Sequence, residues 1–149
     1  MQSTPTTAQI LEGIRADLRQ TILPEVAAGP ARVTLEMLDN LLSSAATRAG
    51  HEVAWMRDEC DRMEAIADEV DDPAVREALA AYRVGDRESL HLEAVQQAYQ
   101  QASEVLSRVI EHALATSNKA LLEQARQVLR LRSEREVAIL GEWTLAGRG

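Results

Sequence analysis

Phenylalanine is absent from this chain, and aromatic residues make up only 3% of it. A core built on stacked rings is thereby excluded, so aliphatic side chains must do the packing. Cysteine occurs once, as Cys60. A single thiol cannot close an internal disulfide, which excludes a disulfide-stapled secreted scaffold. Lysine also occurs once, against fifteen arginines, and the chain carries a formal net charge of −8. That balance argues against a nucleic-acid binder, which needs a basic face to neutralise phosphates. No apolar run approaches the ~18–20 residues that span a bilayer, so no membrane association is expected. Met1 to Gln9 is polar and lacks the basic-then-apolar order of a signal peptide, so a cytoplasmic location is expected. Glycine-rich phosphate loops, nucleophile-elbow motifs and paired C-x-x-C motifs are missing as well.

What is present favours helix. Alanine, leucine, arginine, glutamate and glutamine dominate, and these residues lose little side-chain freedom in a helix. Thr6 with Gln9 has the spacing of a capping box. Ile10, Leu11, Ile14, Leu18 and Ile22 then recur at helical spacing, and Pro24 ends that helix. A second, very long helix is expected over about 30–70, with proline tolerated in its first turn. Leu38, Leu42, Ala45, Ala49, Val53, Met56, Cys60, Met63, Ala67 and Val70 form one stripe along it, in steps of three or four. Gly50 is its weak point, where a kink is plausible.

Asp71-Asp72-Pro73 closes the long helix and caps a short connector that carries Val75, Leu79 and Tyr82. Gly85-Asp86 turns the chain, with Asp86 as N-cap of a helix bearing Leu92, Val95, Tyr99, Ala102, Leu106, Val109 and Ala113. After a break at Thr116-Ser117-Asn118, the last helix carries Leu121, Leu122, Ala125, Val128, Leu129, Ile139 and Leu140. Gly141 stops it. No segment alternates as a strand does. The expected fold is all-α: one domain, an antiparallel bundle of four main helices plus the short connector, with 142–149 as a tail.

Four groups of residues are candidates for function. Glu88 and His91 have the E-x-x-H spacing that puts a carboxylate and an imidazole on one helix face in di-iron bundles. Heptad counting brings Glu52 and Glu59 toward the same seam, which makes these four the candidate metal ligands. The competing reading is a solvated helix start, where acids favour the positive end of the dipole. His51 and Trp55 share a face beside the stripe, and Trp55 either plugs the core or anchors a partner. Trp143 is a second candidate anchor. Cys60 stands among Asp58, Glu59 and Asp61, which disfavour a thiolate, so a small buried hydrophobe is expected rather than a nucleophile. Asp58 to Asp72 holds eight acids against one arginine. The stretch Lys119 to Arg135 is basic, and the two either face each other or face solvent.

The runs Gln9-Ile10-Leu11-Glu12-Gly13-Ile14-Arg15, Ile22-Leu23-Pro24-Glu25, Met37-Leu38-Asp39-Asn40 and His51-Glu52-Val53-Ala54-Trp55-Met56-Arg57 resemble a group of uncharacterised small all-helical bacterial proteins. These are similar in turn to the small partners encoded beside aminoglycoside-phosphotransferase-like kinases and acyl-CoA dehydrogenases. The resemblance covers about the first 60 residues and implies an accessory subunit for a kinase-like or acyl-CoA-metabolising enzyme. The leading expectation is accordingly a non-catalytic interaction module that needs no cofactor and binds a protein partner. The alternatives are a metal-dependent bundle enzyme and a homodimer that holds a small ligand between helices.

Overall fold

A computed structural model describes residues 4–141, and all of its regular structure is helical. The capping box forms as expected. The Gln9 amide donates to Thr6 Oγ1 at 3.2 Å, and the Thr6 amide donates to Gln9 Oε1 at 2.8 Å. Helix α1 runs over Thr7–Asp17. It does not continue evenly to Pro24. A five-residue π turn, Leu18–Ile22, and a 3-10 turn, Leu23–Glu25, follow it. Proline at 24 has no amide to donate, and its ring crowds the carbonyl four residues back, so the preceding turn widens. Helix α2 spans Pro30–Asp68, 39 residues, and stays helical through Gly50.

Asp72 caps α3 (Pro73–Val84), accepting from the Ala74 and Val75 amides. Helix α4 covers Leu92–Ala115 and α5 covers Lys119–Leu140. Between them Ser117 takes a left-handed conformation at φ 55°, and the Asn118 amide reaches back to the Ala113 carbonyl at 2.9 Å. This is the helix-ending motif usually made by glycine. Asn118 then caps α5 through the Leu121 amide. Gly141, at φ 66°, stops it.

The start of α4 differs from expectation. Glu88 and His91 do not form its first turn; the helix begins at Leu92, with His91 in the capping position. The Arg57 guanidinium donates to the carbonyls of Arg87, at 3.0 Å, and Ser89. Those carbonyls would otherwise accept within a helix, so their capture holds 85–91 as a loop. Asp86 caps inside this loop, accepting from the Ser89 amide at 3.2 Å.

The chain divides into two compact units. One comprises residues up to Glu52 together with those from Arg135 onward, and the other is Val53–Glu134. Helices α2 and α5 contribute to both. In Val53–Glu134 the core is continuous. Cys60, Met63 and Ala67 of α2, and Val70 just beyond its end, meet Val75, Leu79 and Tyr82 of α3, five residues of α4, and Leu121, Ala125 and Val128 of α5. These are largely the residues that the spacing selected.

The other unit is thinly packed. Its buried described residues are four (Leu18, Asp39, Ala46 and Ile139), against seventeen in Val53–Glu134. Here the expected stripe is met only at Leu42. Leu35, Asp39, Leu42 and Ala46 turn inward, whereas Leu38, Ala45 and Ala49 are exposed. Counted in sevens from Cys60, the inward positions are Ala46 and Asp39; the expected stripe takes two consecutive steps of four, Ala45–Ala49–Val53, which puts Ala45 and Leu38 one residue off that register. Two arginines of the preceding segment also draw Asp39 inward. Arg15 Nε stands 3.2 Å from Asp39 Oδ1, and Arg19 reaches Oδ2 at 2.5 Å.

Candidate functional site

Val53–Glu134 holds a cavity of about 250 Å³ beside the 85–91 loop. Helix α2 contributes Arg57, Cys60 and Asp61; one turn separates Arg57 from Asp61, so both reach the same side. Tyr82 comes from α3, and Val95 and Ala98 from α4. The loop closes one wall with Asp86, Arg87, Glu88 and Ser89. The lining thus combines apolar residues, Val95 and Ala98, with side chains of both signs of charge.

The two arginines are held differently. Arg87 lies over the Tyr82 ring, 4.7 Å from its centroid, and pairs with Glu64. Glu64 also receives Arg83 at 2.6 Å, which ties the end of α3 to α2. Arg57 makes its described hydrogen bonds to neutral carbonyls, and among the described residues no carboxylate lies within 4.0 Å of it. The Nε atoms of Arg57 and Arg87 are both buried, and neither has a hydrogen-bond acceptor. A buried N–H left in this state costs about 1–3 kcal/mol.

Cys60, which lines the cavity, is 4% exposed, as a small hydrophobe should be. Burial pushes its thiol up to about 11, against a hydrogen bond with Tyr82 that works the other way; Asp61 and Glu59 add to the rise. It is a neutral thiol at physiological pH and no nucleophile.

The metal candidates are placed separately. Glu59 does lie in the seam, 3% exposed, but protein groups occupy its carboxylate. Tyr99 donates to it at 2.6 Å and Arg132 at 3.2 Å, while Arg132 stacks 4.9 Å from the Tyr99 ring centroid and reaches Ser103. Glu52 belongs to the other unit and accepts from Arg48 at 2.9 Å. Glu88 and His91 are exposed in the loop. Among the described residues no group of three or more His, Cys, Asp and Glu side chains gathers as a metal ion requires. The Arg132–Glu59 pair also joins the basic stretch of α5 to the acidic stretch of α2 in the core.

Of the candidate anchors, His51 is exposed and Trp55 is half-buried. Trp143 lies outside the described residues. Asp39, Tyr99 and Arg132 were not singled out by the sequence. Asp39 had a local signal, since it falls in step with Leu35, Leu42 and Ala46. Tyr99 fell on the apolar stripe of its helix, but its pairing with Glu59, like that of Arg132, left no local signal, because the two lie 40 and 73 positions from Glu59.

Compared with protein-family models, curated proteins and solved structures, the chain matches none.

Proposed function

We propose that this protein is a non-catalytic helical interaction module that pairs with a second copy of itself through one flank of α1 and the first half of α2. The carrying observation is the exposed apolar surface of the thinly packed unit. Ile10 and Ile14, one turn apart on α1, are 49% and 47% exposed; Leu38 and Leu41 on α2 are 45% and 57% exposed. Arg15 and Arg19 set the contact line of the two helices at Asp39. At about 100° per residue from that line, Ile14 and Leu38 lie to the side of it, and Ile10 and Leu41 lie about 140° and 160° round, toward the outer faces of the two helices. Met37, at 52%, extends the patch.

Area and charge both favour a second copy. Half-exposed side chains of this size leave on the order of several hundred Å² of apolar surface, more than isolated surface residues account for. A twofold pairing buries such a patch twice, roughly 1,000 Å², the threshold of a specific interface. The acidity of the chain would oppose self-association, but it is concentrated elsewhere. The unit bearing the patch has eight acids against six arginines, whereas Val53–Glu134 has sixteen acids against ten basic residues. A unit with four buried residues among those described also gains stability from a partner that covers its exposed apolar surface.

Light scattering across a hundredfold range of protein concentration tests this reading. The native chain is expected to be dimeric, and Leu41→Glu and Ile14→Glu to be monomeric with unchanged helicity. A native chain that stays monomeric overturns the proposal, as does a dimer that survives both substitutions. A stoichiometric heteromer isolated from the native host in place of the dimer would also overturn it, and would favour the accessory subunit.

A further inference from the structure

Residues 7–22, which are α1 and the π turn after it, bury one side chain, Leu18. The shorter α3 buries Val75, Leu79 and Tyr82, and α4 buries six residues. The four largest fully buried side chains, Met63, Val75, Val105 and Val109, all belong to Val53–Glu134. What fastens residues 7–22 is polar and gathered at one point: the Asp39 carboxylate of α2 receives Arg15 at 3.2 Å and Arg19 at 2.5 Å. A second fastening lies just beyond the segment. Arg32 of α2 donates to the carbonyls of Leu23 and Val26 at 2.9 and 3.1 Å, which ties the turn at Pro24 to α2. Local structure adds little. Helix α1 has 11 residues, below the ~12–15 at which an isolated helix is marginal in water. Gly13, a weak helix former, stands in its middle, and the π turn is a form seen only as isolated turns.

We infer that residues 7–22 form a strap that undocks from α2 and loses its helix as one unit while Val53–Glu134 stays folded, and that the two arginine pairs on Asp39 are its latch. Elements with few buried contacts open at the low end of a protein's range of local stabilities, and an 11-residue helix released from its support does not persist. The Arg32 contacts leave the strap a pivot at Leu23–Glu25. Undocking carries Ile10 and Ile14 away from Leu38 and Leu41, and so divides the apolar surface proposed for pairing. The consequence rests on that pairing: a second copy binds the docked form and thereby holds the strap down. The undocking itself is independent of it.

Hydrogen–deuterium exchange of the full chain, read by mass spectrometry beside light scattering of the same samples, tests this. The amides of residues 10–22 are expected to exchange together, at least about a hundredfold faster than those of α4 around Val105 and Val109. Asp39→Asn should speed residues 10–22 by about tenfold or more and leave α4 unchanged. Gly13→Ala acts in the opposite direction. Its added Cβ meets no atom within 4 Å, and it should slow residues 10–22 by about fivefold. Dilution through the range in which the dimer dissociates should speed residues 10–22 alone. Protection of residues 10–22 equal to that of α4 overturns the undocking, as does an equal acceleration of both by Asp39→Asn. A dimer whose dissociation leaves residues 10–22 unchanged overturns the coupling to pairing. A chain that is monomeric throughout overturns the pairing and the coupling together, while the two variants still decide the undocking.

Discussion

The Tyr99 hydroxyl donates to the Glu59 carboxylate across 2.6 Å, linking α4 to α2 inside the core of Val53–Glu134. Glu59 is a charge 3% exposed, and it is tolerated there because Tyr99 and Arg132 surround it with donors. Tyr99→Phe removes one donor and leaves the carboxylate to Arg132. Its expected cost is about 1–3 kcal/mol in urea unfolding, the range for a buried acceptor that loses its partner. Glu59→Gln in the Tyr99→Phe background should then cost less than in the native protein. Equal costs would mean that the two residues are not coupled.

The same kind of pairing holds the other unit together. Burial alone would raise the Asp39 pKa, but the hydrogen bonds from Arg19 and Arg15 outweigh it and hold the carboxyl below its ordinary value. A depressed carboxylate contributes stability above its unfolded pKa and loses it as pH falls through the folded one. Asp39→Asn should therefore destabilise the protein near neutrality by roughly 2–3 kcal/mol, less than the ~3–5 for a fully buried pair because Arg19 remains half in water. The difference between variant and native should shrink as the pH is lowered below 4. A constant difference down to pH 2 would count against the ion pairs as its origin.

Alkaline pH acts on the other core. Burial raises the Cys60 thiol from 9.0 to about 11, and burial likewise raises the hydroxyls of Tyr82 and Tyr99. Groups with raised values contribute their full stability below the unfolded pKa and lose it as pH climbs toward the folded one. Stability should therefore be flat from pH 7 to about 8.5 and fall above pH 9. Cys60→Ala should make the fall between pH 9 and 11 shallower. An identical slope in the variant would exclude the thiol as a contributor.

Gly50 offers a stabilising change. It lies within α2, and a Cβ built there meets no atom within 4 Å. Gly50→Ala should stabilise by about 1 kcal/mol, raising the thermal midpoint by a few degrees. A drop in stability would show that α2 bends at this residue in solution and needs the glycine.

Much of the architecture is written locally. The Thr6 and Gln9 capping box, the Asp72 cap before Pro73, the Asn118 cap and the Gly141 stop depend on contacts within a few residues of chain, so residue type and spacing suffice to find them. The inward faces of α3 and α4 and the second half of α2 follow from apolar periodicity for the same reason. The exposed flank was only half legible. Ile10, Ile14 and Leu38 read as core residues, because periodicity marks a residue as apolar without saying whether a partner within the chain covers it.

The sequence by itself determined that this protein is all-α, roughly where each helix begins and ends, and that Cys60 is a buried, inert thiol. Tertiary structure alone decided three things. Asp39 turned inward in place of Leu38, because Arg15 and Arg19 reach it from another helix. Residues 85–91 became the wall of a cavity rather than the first turn of α4, because Arg57, thirty residues earlier, captured their carbonyls. Glu59 became a core charge satisfied by Tyr99 and Arg132 rather than a free ligand. In each case a charged side chain is matched by groups distant in sequence, and charge–charge and charge–carbonyl pairing leaves no periodic trace in the chain.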